Sequence, residues 1–270
     1  MLTRFIAARV LPVLMLGGAA SAWAHDSWLR LAPSQPGGGL VQLELAVGPR
    51  YPAGEFVVAA SSVTRSACIE GSGQERTLLP REEQARHLDL RARADSRQGL
   101  ACWVELRAHD AEMTPDLVTG YFREIRAPEA AQQHWSRQQA RAVPWRESYR
   151  KTLRIELPAP EGATSVPAVL RQPKGLLFEI VPAGTDVLRA RQPAAFQLLL
   201  EGRPFAGQWV ELVSERDNHS IWSRTDAQGL LREVLPAAGQ WLARATLLEL
   251  PANDAQPWRS RFATLVFHVR

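Results

Sequence analysis

The chain has 270 residues, with 32 Lys or Arg against 28 Asp or Glu and a formal net charge of +4. Cations and anions are interspersed, and Lys151 and Lys174 are the only lysines. This excludes the concentrated basic face of a nucleic-acid binder and the charge imbalance of a disordered chain.

Residues 1–24 have the form of a secretory signal peptide. Arg4 and Arg9 supply a positive start, residues 10–20 are apolar, and Ala22-Trp23-Ala24 is an A-x-A cleavage site. The apolar run is shorter than the roughly 20 residues a membrane span needs, and no later stretch qualifies. The reading is export through a cleaved signal to the periplasm, with no membrane span afterwards. No cysteine ends the signal, which argues against a lipoprotein. Loss of Arg4 and Arg9 leaves 30 basic against 28 acidic residues, a net +2. The mature chain then begins at His25, whose free amine and ring nitrogen can chelate one metal ion together, as no internal histidine can.

Residues 25–127 read as an N-terminal β-sandwich. Val41, Leu43, Leu45 and Val47 alternate with Gln42, Glu44 and Ala46, which puts one apolar row on a single face. Pro36-Gly37-Gly38-Gly39 and Gly48-Pro49 punctuate that strand. Further strands are expected at 55–60, 87–92 and 100–107. Cys68 and Cys102 would enter an oxidising compartment as a pair, so a disulfide is expected. Two metal-binding thiolates are the weaker alternative, because no C-x-x-C spacing is present.

Residues 128–174 read as a partly helical, Pro-rich connector. Pro128 and Glu129 suit a helix start, which predicts a helix over 129–141. Pro144 interrupts it, and a second short piece over 146–151 leads into an extended 153–157. Prolines and glycines crowd 158–175, where a domain boundary is expected. Residues 175–270 resume the β rhythm with strands at 176–181, 194–200, 208–213, 221–225, 230–235, 241–247 and 261–269. Seven strands in this space suit an immunoglobulin-like or transthyretin-like sandwich. The fold class expected is therefore all-β, with two immunoglobulin-like β-sandwich domains joined by that connector.

Several segments carry a resemblance. Ala24-His25-Asp26-Ser27-Trp28-Leu29, Arg146-Glu147-Ser148-Tyr149-Arg150-Lys151 and Gly175-Leu176-Leu177-Phe178-Glu179-Ile180-Val181-Pro182 occur in order along the chain. So do Gly202-Arg203-Pro204-Phe205, Thr225-Asp226-Ala227-Gln228-Gly229 and Gly239-Gln240-Trp241. Together they resemble a bacterial periplasmic domain-of-unknown-function family grouped with the periplasmic components of cobalt and nickel transport systems. The C-terminal half also resembles carboxypeptidase-regulatory-like sandwiches, whose hairpin turns use the same residues. The resemblance implies a two-sandwich exported protein that handles a divalent metal and performs no catalysis. That family often carries a histidine at the register of Leu247, where this chain has Thr246-Leu247-Leu248.

The candidate metal ligands are His25 and Asp26, the latter as a carboxylate ligand or simply a solvated residue, together with His109 or His219 if the fold brings one of them to the N-terminus. His87, His134 and His268 complete the set. No H-x-H, H-x-x-x-H or H-E-x-x-H spacing occurs, so any site must be assembled by the fold. Nickel, cobalt and copper are the ions such nitrogen donors suit. Of the eight tryptophans that remain after cleavage, Trp209, Trp222 and Trp241 are expected in a sandwich core. Trp135 and Trp145 are the candidates for an exposed contact surface.

No G-x-S-x-G elbow and no phosphate-binding glycine loop is present. The reading is a binding protein rather than an enzyme: a metal-handling accessory whose partner is an inner-membrane metal transporter or another envelope protein. A metal-free envelope module that binds a protein or a glycan is the alternative. A copper oxidase built on a histidine brace at His25 is a third.

Overall fold

The computed structural model describes residues 25–35 and 39–270. The expected signal peptide, residues 1–24, and residues 36–38 lie outside the described residues. Strands β1 (Asp26–Leu31), β2 (Leu40–Gly48), β3 (Val63–Glu70), β4 (Glu75–Thr77), β5 (Leu79–Glu83), β6 (His87–Arg93), β7 (Leu100–Leu106) and β8 (His109–Met113) precede helices α1 (Pro115–Glu124) and α2 (Glu129–Ala140). There follow β9 (Trp145–Glu156), β10 (Phe178–Pro182), β11 (Pro193–Leu200), β12 (Arg203–Pro204), β13 (Trp209–Ser214), β14 (Ser220–Arg224), β15 (Leu230–Val234), β16 (Gly239–Glu249) and β17 (Trp258–Val269). The chain is mostly β and its sheets stack as sandwiches, as the strand rhythm predicts.

The sandwiches share a sheet, which the rhythm does not reveal. A nine-stranded sheet runs in the order β14-β13-β16-β17-β9-β7-β3-β4, with β8 paired to β9. Its centre is the parallel pair β9–β17, in which Lys151 faces Phe262 and Leu153 faces Thr264. A parallel pair belongs where both faces are covered. Trp145, Leu153, Ile155, Phe262 and Val266 pack on one face, and Ala263, Leu265, Phe267 and Val269 pack on the other. The segment expected as a second connector piece over 146–151 is thus part of the central strand β9. The half-polar sequence there conceals a strand, because its buried polar side chains, Glu147 and Lys151, are hydrogen-bonded to groups brought by other segments.

On the first face lies a four-stranded sheet, β1-β2-β6-β5, which buries Trp28, Leu43, Leu45, Leu88 and Leu90 against Cys68, Cys102, Val104 and Ile155. The two cysteines are cross-strand partners and are joined by a disulfide inside this core, as expected. Beside that sheet, α1 and α2 cover Trp145, Trp258 and Phe262. On the opposite face, β10, β11, β12 and β15 close the C-terminal core around Phe178, Phe196, Leu212, Trp241 and Phe267. Buried ion pairs fasten β10 and the Pro-rich segment to that face of β9. Arg154 contacts Glu179 at 2.5 Å and Arg171 contacts Glu156 at 2.7 Å.

Helix α2 forms where expected, whereas α1 does not appear in the sequence reading. Its signals are present all the same: Pro115 and Asp116 open it, and Val118, Tyr121 and Phe122 fall on one buried face. The expected strand at 55–60 is reduced to a single bridge between Phe56 and Val47.

Trp135 and Trp145, expected to be exposed, are 5% and 1% exposed. Trp145 stacks on Trp258 with ring centroids 4.4 Å apart, and Trp135 meets it edge-on at 5.3 Å. The connector's polar surface covers an aromatic cluster. The reverse correction applies to Trp209 and Trp222, which are half-buried on the first face and outside the C-terminal core. Trp241 is fully buried there, as expected.

Candidate functional site

Period-two alternation places Glu147, Tyr149 and Lys151 of β9 on the first face, in line with Ser260, Phe262 and Thr264 of β17. Arg244 and Thr246 of β16 and Glu211 of β13 continue that face. The start of β1 crosses directly over it. Helix α1 brings Tyr121 and Glu124 to the same place.

Lys151 is buried, and its Nζ donates to the His25 carbonyl at 2.5 Å and to Ser27 Oγ at 3.2 Å. Thr264 Oγ1 donates to the Ser27 carbonyl at 2.8 Å. Burial lowers the Lys151 pKa to about 8, although Glu147 and Glu124 pull the other way. Glu147 accepts from Trp145 Nε1 and Tyr121 Oη, each at 3.2 Å, and from Ser260 Oγ. Its pKa is still raised, because burial outweighs those donors.

One turn of the sheet away, the Arg244 guanidinium binds the Asp26 carboxylate, Glu211 at 2.5 Å and Glu124 at 3.5 Å. Burial, followed by repulsion from Glu211, raises the Glu124 pKa to about 7. Asp26, Glu124, Arg244, Thr246, Trp209, Trp222 and Phe262 line a narrow cleft. Arg126 lies 4.7 Å from the Trp209 ring centroid and 4.4 Å from that of Trp222, a cation–π contact to both of these edge-to-face rings.

The expected ligands are not gathered in one place. His25 is half-buried, its ring stacked on Phe56 at 5.2 Å, and burial and Lys151 lower its pKa, which keeps the imidazole neutral. Its ring nitrogens have no hydrogen-bond partner among the described residues. Asp26, expected as a metal carboxylate or a solvated residue, is buried and committed to Arg244. His109 stacks on Tyr149 at 5.9 Å, and its Nε2 lies 3.3 Å from Ser62 Oγ. It borders the cluster without touching His25. His219 is exposed in the β13–β14 turn, beside Asp217 and Ser214. Leu247 packs against the C-terminal core, on the opposite face of β16 from Arg244 and Thr246. Among the described residues, no group of three or more His, Cys, Asp or Glu side chains is arranged to hold a metal ion.

The working residues that sequence reasoning missed are Lys151, Glu147, Glu124, Glu211 and Arg244. A signal for one of them existed: Lys151 is one of two lysines in the chain, two residues from Tyr149 and four from Glu147.

The sequence matches, over residues 22–249, the family model described as Domain of unknown function (DUF4198). The chain belongs to this family. The matched residues include His25, Asp26, Glu124, Glu147, Lys151, Glu211 and Arg244, so most of the buried polar cluster falls within the family domain. No curated protein matches the chain. Among solved structures it is similar to one described as the crystal structure of a tetra-tandem repeat in the extending region of a large adhesion protein, at 8% identity and a TM-score of 0.21. That alignment covers 90% of this chain and 49% of the other, so the chain spans about half the length of that structure.

Proposed function

We propose that this member of the family is an exported periplasmic binding protein that handles a divalent transition metal, nickel or cobalt before copper, through its mature N-terminal histidine. The observation that carries the reading is the seat of His25. Lys151 grips the residue by its carbonyl oxygen, which leaves the imidazole neutral and its nitrogens free of hydrogen bonds among the described residues. Cleavage after Ala24 would free the backbone amine of His25 beside that ring, and Glu55 is close enough to act on the ring's charge.

The remaining expected ligands fit a metal less well. Asp26 is held by Arg244, and His109 and His219 touch other residues. An amine and one imidazole make an open site with few protein donors, which suits transfer to a partner such as an inner-membrane metal transporter better than storage. Binding rather than catalysis is the role proposed.

The test is titration of nickel, cobalt and copper into protein beginning at His25 and into protein carrying one extra residue before it. The extra residue keeps the imidazole and displaces the amine. A fall in affinity of tenfold or more supports the chelate, and equal affinity overturns it. Absence of binding in both forms favours the second reading, a metal-free module that binds a protein or a glycan. The half-buried pair Trp209 and Trp222, with Arg126 against both rings, is the surface that recommends it.

A further inference from the structure

Strand β4 is the edge of the nine-stranded sheet, and β5, separated from it by one residue, is the edge of the four-stranded sheet, with that residue, buried Leu78, at the corner between them. A cleft opens at this corner, lined by Leu40, Arg76, Thr77, Leu79, Arg81, Arg91 and Arg93. Four guanidinium groups face it, and no carboxylate is among the residues that line it. Arg76 is held from behind by Glu70 at 2.8 Å and by Gln74 at 2.7 Å. Arg81, Arg91 and Arg93 have no hydrogen-bond or ion-pair partner among the described residues.

Register explains the crowding. Arg91 and Arg93 alternate outward along β6, Leu79 of β5 lies opposite Arg91, and Leu40 of β2 lies opposite Arg93. Arg91 is half-buried, and its Nε is sealed from solvent with no acceptor. Buried donors of this kind are ordinarily satisfied, and like charges side by side on a sheet are destabilising. In a mature chain whose net charge is only +2, four cations gathered at one corner form a strong local positive field.

We propose that this corner is a binding site for a phosphate group. A tetrahedral oxyanion presents several oxygens to guanidinium forks arriving from different strands, whereas a carboxylate is filled by one or two. It would supply the missing acceptor for Arg91 and relieve the repulsion among Arg81, Arg91 and Arg93. Leu40 and exposed Leu79 provide apolar walls for whatever carries the phosphate. The site is separate from His25 and does not depend on the metal reading.

The experiment titrates the mature protein at low ionic strength with inorganic phosphate, and in parallel measures co-sedimentation with phosphatidylglycerol vesicles against phosphatidylcholine vesicles. The expected result is binding in at least one arm that weakens about tenfold or more in Arg91→Gln with Arg93→Gln. Arg150→Gln, an exposed arginine elsewhere on the surface, should leave it unchanged. Binding of free phosphate identifies a soluble phosphate ligand, and vesicle binding without it identifies a lipid headgroup. Arg81→Gln, at an exposed position, repeats the test if the double variant fails to fold. Absence of binding in both arms overturns the proposal, as does an equal loss in Arg150→Gln, which would mean diffuse charge alone.

Discussion

The Nζ of Lys151 lies 2.5 Å from the carbonyl oxygen of His25, joining residues 126 apart in sequence. His25, the proposed first residue of the mature chain, is therefore placed by the central strand of the molecule. Lys151→Ala would strand that carbonyl and the Ser27 hydroxyl, and would leave Glu147 without its nearby cation. A loss of about 3 kcal/mol is expected, which for a chain of this size lowers Tm by roughly 6–12 °C. Lys151→Met restores most of the volume but not the hydrogen bonds, and should fall between Lys151→Ala and the wild type in thermal melts. An unchanged Tm in both variants would show that β1 is seated by its apolar side chains alone.

Arg244 serves Asp26, Glu211 and Glu124 together. Arg244→Met leaves buried carboxylates with no cation, a loss of about 3–5 kcal/mol. Asp26→Asn removes one charge and keeps an acceptor, so about 1–3 kcal/mol is expected. Because both changes break one network, the double variant should lose less than the sum of the two singles. Strict additivity in denaturant unfolding would mean that Asp26 and Arg244 act independently.

The cluster makes stability depend on pH in a defined direction. Glu124 holds its proton more tightly when folded, with a pKa near 7 against an ordinary 4.5. Its contribution is thus fully present below about pH 4.5 and is lost as pH rises through about 7. Lys151 runs oppositely, with a pKa near 8 against 10.5. The cost of burying its charge is full below about pH 8 and is relieved as pH rises toward 10.5. Glu124→Gln should remove the decline on the acid side, so its Tm relative to wild type climbs between pH 5 and pH 8. A difference that stays constant with pH would assign that decline to other groups.

The Cys68–Cys102 disulfide closes a 34-residue separation within the first core. Chain-entropy arguments give about 4 kcal/mol for a loop of that length. Cys68→Ala with Cys102→Ala should fold, and should unfold in guanidinium at a lower midpoint by about that free energy. An equal midpoint would show that the packed core already restrains both strands.

Much of the strand pattern is legible in the sequence, because β2, β6, β7, β13, β16 and β17 bury at least one alternating face and turn residues bound them. Strand β9 is not. Its Arg146–Lys151 half alternates exposed Arg146 and Arg150 with buried Glu147 and Lys151, and a residue pattern cannot distinguish a buried charge whose partner lies more than a hundred positions away from a solvated one. The same ambiguity reversed the tryptophans: Trp135 and Trp145 sit among exposed glutamines and arginines on the chain, yet point inward. Helix α1 was legible in its Pro115–Asp116 start and in the spacing of Val118, Tyr121 and Phe122, although strand-like neighbours outweighed those signals.

Alone, the sequence determined the β class, the pairing of its two cysteines and the interest of His25, since composition, alternation and a cleavage motif are local properties. Tertiary structure alone decided what surrounds that histidine. Parallel pairing of β9 with β17 brings Lys151 beneath His25, and Arg244 withdraws Asp26 from any metal. Such placements arise from contacts between distant segments, whose charges become partners only once water has been excluded between them.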